Sequence, residues 1–504
     1  MNVATILEMA AGGYGDRIAI GRRADGLGYE RLRQLAVAGA ARLGDGVEVV
    51  GFVGQSGPAF VTAFFASAVR GVPFMPLNYR LGEAQLNELL SRHAGAVIIA
   101  DPRYVDSLKV AGEVVTTDDW LSELSREATD PAVDVSAIGE PSRPALYLYT
   151  SGTSAAPKAA ILHHHHLTSY ILGSVEFGAA APDDAALVSV PPYHIAGVAN
   201  LLSNVFSGRR IVYLPDFTPE SWLSTVRSEG ITQAMVVPTM LARIVDAIGE
   251  DKAGPPSLKF ISYGGSRMHE SVLRRALHAF PEAGFVNAYG LTETSSSIAV
   301  LGPDDHRTAL ESPDPAVARR LSSVGRLIPG IEVQIRDQDR QVLPTGTVGD
   351  VWVRGEQVSG EYAGSGSVCD ADSWFPTRDA GWVDDEGYLF IEGRTDDTII
   401  RGGENIAPAE IEDVLLQHPD VEDAAVVGVP DEEWGHRVAA AVKLRPGATV
   451  EPEELVAWTR KHLRSSRAAE TVVIRNELPR TDTGKLLRRQ VLDDLRELSP
   501  GVQA

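Results

Sequence analysis

Leu389-Phe-Ile-Glu-Gly-Arg-Thr-Asp-Asp-Thr-Ile-Ile-Arg-Gly-Gly-Glu-Asn405 crowds charges and glycines around one short apolar strand, and it separates two unlike parts of the chain. Such a stretch reads as a hinge between domains, because it offers few apolar side chains to tie it into either core. We place the boundary near Asp396, giving one domain over 1–395 and a second over 396–504. Before the hinge, short β-branched runs alternate with helix-period segments, the signature of α/β layers on largely parallel strands. Thus 17–21 reads as a strand, 29–43 as an amphipathic helix, 47–54 as a strand, 59–70 as a helix and 72–76 as a strand. After the hinge, Pro408 opens a helix with Glu410 behind it, and strands follow at 424–429 and 438–444. A helix at 452–463 and a strand at 471–474 complete the order. The expected fold class is α/β, with a large N-terminal domain of layered α/β sheets and a small mobile α+β C-terminal domain of about 110 residues.

The bulk numbers agree with a globular protein of at least two domains, since 504 residues with 44% hydrophobic content exceed one ordinary core. Lys and Arg total 46 against 68 Asp and Glu, and the net charge of −22 repels nucleic-acid phosphates and anionic lipid. Any anionic substrate must therefore be met by specific local groups. The single cysteine, Cys369, forms no internal disulfide, and the opening residues lack a secretory signal, which points to the cytoplasm. No run of about 18 apolar residues is present, so membrane insertion is not expected.

The densest chemical signal is Tyr149-Thr-Ser-Gly-Thr-Ser-Ala-Ala-Pro-Lys-Ala159, which follows an apolar strand at 145–149. Small residues let backbone N–H groups approach phosphate oxygens; Thr150, Ser151, Gly152, Thr153 and Ser154 suit that role, and Lys158 adds charge. The spacing of a Walker loop is absent, which disfavours an ordinary P-loop nucleotidase. A hydroxyl-rich surface turn has the same composition, so the loop alone leaves both readings open.

Seven further motifs follow in chain order. They are Pro191-Pro-Tyr-His-Ile-Ala-Gly197, Tyr263-Gly-Gly-Ser266, Asn287-Ala-Tyr-Gly-Leu-Thr-Glu-Thr294, Val324-Gly-Arg-Leu-Ile-Pro-Gly330 and Trp374-Phe-Pro-Thr-Arg-Asp379 with Gly393-Arg394, then Gly402-Gly-Glu-Asn405, then Pro479-Arg-Thr-Asp-Thr-Gly-Lys485. Together with the phosphate loop they resemble the acyl-adenylate-forming superfamily of acyl-CoA synthetases, luciferases and peptide-synthetase adenylation domains. The resemblance covers about residues 145 to 490. It implies ATP, Mg²⁺ and coenzyme A as cofactors, and a carboxylic acid activated as its acyl-AMP and passed to a thiol.

Residue by residue, the resemblance assigns Mg²⁺ to Glu293 and the α-phosphate to Thr292. It sets the Tyr289 ring on adenine, with Gly264, Gly265, Ser266, Asn287, Ala288 and Gly290 around the base. Asp379 then takes the ribose hydroxyls with Arg394 as its companion, and Lys485 bridges the attacking carboxylate and the α-phosphate, offsetting charge in the transition state. His194 becomes an aromatic gate to the acyl pocket, Asp396 the hinge, and Gly402, Gly403 and Glu404 the loop that meets the thiol. The plain structural alternative, with Tyr289 in the core and Glu293 a helix N-terminal charge, is the less favoured reading of this motif.

The acyl pocket is expected around His194, Val198, 236–240 including Val237, Gly264, 287–290 including Gly290, and Ile298, a mostly apolar set that fits a fatty, alicyclic or aryl acid. Tyr193-His194 stands where amino-acid-activating relatives carry an acidic partner for an ammonium group, so an amino acid is disfavoured. Coenzyme A is the expected acceptor, with an acyl carrier protein as the alternative, and a slowly turning nucleotide or acyl-AMP binder or a luciferase-like oxidant as other readings. His163–His166 invites a metal reading, but four consecutive helical residues point in different directions and a structural role is the better reading. Three positions depart from the family pattern, where glycine is usual: Ala155, Ala159 and Arg378. A required positive φ at either alanine would strain the loop. The oligomeric state is open.

Overall fold

The computed structural model describes residues 1–127, 140–150, 158–249, 252–402, 404–431, 433–481 and 484–497. Two large sheets form the N-terminal part. The first has nine strands, and six of them run parallel in the spatial order Ile18–Ile20, Arg210–Tyr213, Ala185–Val188, Gln233–Val236, Phe260–Gly264 and Gly284–Leu291. Antiparallel strands close both edges, Leu27–Gly28 on one side and Ser296–Leu301 with Arg326–Leu327 on the other. The second sheet has eight strands, from Gly366–Ser367 at one edge to Val114–Thr116 at the other. Its strand Val49–Val53 is buried throughout, as expected of a parallel strand covered on both faces.

Helices fill the space between the sheets. Pro58–Arg70 starts with proline in its first turn and stops at Gly71, which takes the left-handed conformation at φ 77°. Phe60, Phe64 and Phe65 are all buried, each worth roughly 1.5–3 kcal/mol of apolar burial. The helix expected at 29–43 is observed as Tyr29–Leu43, while the strands expected at 17–21, 47–54 and 72–76 shorten to Ile18–Ile20, Val49–Val53 and Phe74–Pro76.

A third, four-stranded antiparallel sheet joins Glu332–Arg336, Gly349–Arg354, Phe375–Val383 and Leu389–Arg394. The parallel α/β reading did not anticipate it. Its longest strand, Phe375–Val383, alternates buried with less buried positions and joins Leu389–Arg394 through the tight turn Asp384–Gly387, so no helix intervenes as it would in a βα unit.

From Ile399 onward the chain builds its own cores. Val421–Asp431 and Gly435–Leu444 pair antiparallel, and Thr471–Ile474 adds in parallel. Helices Pro408–Leu416 and Pro452–His462 cover one face, and Arg488–Glu497 covers the other through Val491 and Leu495. The hairpin Ile399–Arg401 with Glu404–Ile406 precedes them and was not expected. Among the described residues no helix is long and apolar enough to cross a membrane.

Candidate active site

The residues expected around the base lie toward the carboxyl ends of the neighbouring parallel strands Phe260–Gly264 and Gly284–Leu291, where open α/β sheets place their ligands. Gly264 pairs with Ala288 in the ladder, and a Cβ on Gly264 would stand 2.3 Å from the Ala288 carbonyl oxygen. A Cβ on Gly290 would stand 1.8 Å from the Ser296 carbonyl oxygen. Backbone therefore comes to backbone at both positions, which only glycine permits. Asn287 donates from Nδ2 to Ser323 O at 3.2 Å, which fixes its amide beside that wall.

Asp379 and Arg394 face each other in one ladder. Arg394 Nη1 donates to Asp379 Oδ1 at 3.1 Å and to Thr377 O at 3.2 Å. Tyr289 donates its hydroxyl to Asp379 Oδ2 at 2.5 Å, so the residue assigned to adenine also holds the residue assigned to ribose. Burial raises the pKa of Asp379 against the opposing pull of Arg394, the Tyr289 bond and Lys485. Burial and the adjoining Asp379 charge likewise raise Tyr289. Asp379 sits inside the strand Phe375–Val383. The ladder shifts register there, and Arg378 takes φ 61°. That explains the usual glycine at this position: a left-handed backbone costs an arginine about 1 kcal/mol or more.

Thr292–Thr294 forms a single 3₁₀ turn after the strand Gly284–Leu291, followed by Ser295 and Ser296 at φ 57° and 112°. The turn buries Glu293 and leaves Thr292 half-buried beside it. The Tyr362 hydroxyl donates to Glu293 Oε1, and Ser359 N donates to the Glu293 carbonyl at 2.8 Å. Among the described residues Glu293 Oε2 has no partner, which leaves one carboxylate oxygen for a cation. No group of three His, Cys, Asp or Glu among the described residues is placed to hold a metal. A single carboxylate suits Mg²⁺, which keeps waters and phosphate oxygens as its other ligands. Tyr362 belongs to no motif in the sequence, and the pairing of Glu361–Tyr362 with Lys158–His163 brings it here.

Thr150 pairs with Lys158 across the antiparallel strands Pro144–Thr150 and Lys158–His163. The assignments to Ser151, Gly152, Thr153 and Ser154, and the departure at Ala155, fall outside the described residues. Ala159 is buried in the ladder opposite Tyr149 without a positive φ, so alanine brings no backbone strain there.

Lys485 ends a tight turn in which Thr481 N donates to Lys485 O at 2.8 Å and Lys485 N to Thr481 Oγ1 at 3.0 Å. Gly484, at φ 77°, docks the turn on the large domain, where an added Cβ would lie 2.6 Å from Thr239 Oγ1. Arg480 braces the turn from behind, with paired bonds to Asp423 and one from Nη1 to Gly484 O at 2.7 Å. Lys485 thus stands in the cleft between the two domains. Desolvation by the groups around it lowers its pKa, as does Arg394, while Asp379, Asp397 and Glu293 pull the other way, and the residue keeps an exposed surface. Arg267 Nη2 reaches Asp413 Oδ2 at 2.6 Å across the same cleft.

Other assignments lie apart. Asp396 is exposed in the turn Thr395–Asp397. Gly402, at φ 55°, donates to Trp434 O at 2.8 Å, and Glu404 approaches Arg467 at 4.0 Å; Gly403 is outside the described residues. His194 caps the helix Ile195–Ser207, half-buried, with its ring 4.7 Å from that of Tyr193. Val198 and Val237 are packed in the main hydrophobic core. Of the histidine run, His163 ends a strand and caps the helix His164–Ser174, bonding Glu361 at 2.8 Å. Burial lowers His164 to about 4 and His166 to about 3, in keeping with structural roles.

The model of the AMP-binding enzyme family matches residues 7–363, and that of the AMP-binding enzyme C-terminal domain matches 410–485. The chain belongs to the AMP-binding enzyme family. Indoleacetate–CoA ligase of Aromatoleum aromaticum is 32% identical, covering 89% of this chain and 88% of that protein. Fatty acid–[acyl-carrier-protein] ligase ScoC of Streptomyces coeruleorubidus is 31% identical, covering 88% and 86%. ATP-bound MatB of Rhodopseudomonas palustris superposes with a TM-score of 0.87 at 24% identity over 99% of this chain and all of that one, a likeness of fold.

Proposed function

We infer that this AMP-binding enzyme is an ATP-dependent carboxylic acid:CoA ligase that works through an acyl-AMP intermediate and releases AMP and pyrophosphate. One observation carries the reading: Asp379, Arg394, Glu293 and Lys485 converge on a single cleft, with the lysine supplied by the small domain. A nucleotide binder has little use for that lysine.

In the first half-reaction the ammonium of Lys485 lies between the attacking carboxylate and the α-phosphate, where it offsets their negative charge. Asp379 and Arg394 hold the ribose, and the glycine-lined wall at Gly264 and Gly290 admits the base. Mg²⁺ on Glu293 would neutralise phosphate charge. Pyrophosphate leaves as the acyl–phosphate bond forms. The second half-reaction needs a different face of the small domain. Rotation at Asp396, the domain boundary we propose, withdraws Lys485 and brings the loop from Gly402 to Glu404 to the cleft. The thiolate sulfur then attacks the acyl carbon, AMP leaves, and a thioester forms. Likeness to ScoC favours one second reading, in which the thiol belongs to a carrier protein. A single cysteine and the absence of a membrane-crossing helix among the described residues support placement in the cytoplasm.

The test is AMP and pyrophosphate release with ATP, Mg²⁺ and a panel of fatty, alicyclic and aryl acids, with and without coenzyme A. Acid-dependent release with coenzyme A converted to thioester is expected. Release without its consumption would transfer the acyl group to a carrier protein, and no release with any acid would leave a binding protein.

A further inference from the structure

The turn that carries Glu293 is strained and is held from outside. Ser295 and Ser296 follow Glu293 at φ 57° and 112°. A serine at the second value lies beyond the left-handed well and persists only where its surroundings fix it. One strap of chain, between the strands Gly349–Arg354 and Glu361–Tyr362, supplies the fixing bonds. Gln357, 4% exposed, donates from Nε2 to Thr294 O at 2.9 Å and to Ser297 O at 2.8 Å, on either side of the strained pair. Its carbonyl accepts from Ser295 Oγ at 2.9 Å. Two residues on, Ser359 N bonds the Glu293 carbonyl, and Ser359 Oγ donates to Ile161 O in the strand Lys158–His163.

The strap ends on Glu361–Tyr362, whose side chains turn to opposite faces of the strand. Glu361 meets His163 Nε2 at 2.8 Å, and Tyr362 donates to Glu293 Oε1. The backbone bonds place the turn, whereas Tyr362 acts on the carboxylate itself. Among the described residues no other group hydrogen-bonds that carboxylate. Burial and the Glu293 charge raise the Tyr362 pKa, so the phenol stays a donor across the neutral range.

A phenol on Oε1 halves what the carboxylate offers a cation. Ca²⁺ gathers many oxygens in flexible geometry and often takes both oxygens of one carboxylate, while Mg²⁺ demands near-octahedral placement and keeps its waters. A ligating carboxylate held by a hydrogen bond is also better oriented. We propose that Tyr362 is a positioning residue that confines Glu293 to one free oxygen, Oε2, and so suits the site to Mg²⁺ over Ca²⁺. This rests on the Mg²⁺ role given to Glu293 in the ligase reading.

The experiment is equilibrium dialysis of ATP without any acid substrate, in saturating Mg²⁺, in saturating Ca²⁺ and in EDTA, for the wild type, Tyr362→Phe and Glu293→Gln. The readout is the factor by which each metal tightens ATP binding, which needs no turnover. Tyr362→Phe keeps the ring, so its ATP affinity in EDTA should match the wild type. Its Mg²⁺ factor should fall roughly tenfold or more, and its Ca²⁺ factor should fall far less or rise. Glu293→Gln should lose both factors. A Tyr362→Phe protein that keeps the wild-type Mg²⁺ factor, or loses both factors alike, overturns the inference and leaves the Glu293 assignment standing. A metal factor that survives in Glu293→Gln, or is missing from the wild type, overturns that assignment and the inference with it. Acid-dependent AMP release decides the ligase reading separately.

Discussion

The nucleoside wall and the Lys485 turn face the same cleft but are held by different means. Asp379, Arg394, Tyr289 and Thr377 are fixed by sheet register and short bonds within one domain, and Glu293 by Tyr362 of that domain. Lys485 belongs to a loop braced within the small domain by Arg480 and Asp423, and the large domain meets it at Gly484 against Thr239 and through the Arg267–Asp413 pair. In the mechanism proposed above, the wall stays and the turn leaves. Interdomain contacts that are few and polar separate easily, because an exposed ion pair contributes little and gives way to water.

Four substitutions break or sharpen that contrast. The largest effect belongs to Lys485→Ala, which should lower acid-dependent pyrophosphate release by about two to three orders of magnitude with little change in Tm. Because the folded protein lowers the lysine pKa below 10.5, the active ammonium is lost as pH rises through that lowered value. Adenylation should therefore fall off at a less alkaline pH than an ordinary lysine would give. Next, Asp379→Asn should raise the KM for ATP roughly tenfold or more. Burial lifts the Asp379 pKa, so its ionised form costs stability at pH values above the ordinary aspartate range. The amide should accordingly leave Tm unchanged or higher, and a large fall in Tm would contradict a wall tuned for binding at some expense of stability.

Arg267→Ala should change adenylation a few-fold at most, and the difference from wild type should shrink in high salt, as for an exposed pair worth roughly 1 kcal/mol or less. Arg378→Gly has the smallest effect, relieving a positive φ and raising unfolding stability by about 0.5–1 kcal/mol in denaturant titration.

Much of this layout was legible in the sequence because it follows local periodicity. The helix Tyr29–Leu43 and the strand Thr471–Ile474 stand where pattern alone put them. The antiparallel sheet from Glu332 to Arg394 was not legible, since its strand partners are chosen by tertiary pairing. The candidate site divides along the same line. Motifs marked Glu293, Asp379 and Lys485, but Tyr362 owes its position to pairing and packing across 69 residues of chain, which no local pattern records. Arg378 became intelligible only once its φ was seen.

The measurement closest to the central claim separates the half-reactions in Lys485→Ala: adenylation from ATP and acid, and thioester formation from coenzyme A and a preformed acyl adenylate. The account predicts that the first collapses while the second stays within a few-fold of wild type, because Lys485 leaves the cleft before the thiol enters. Parallel loss of both half-reactions in a folded variant, or retention of both, would contradict it.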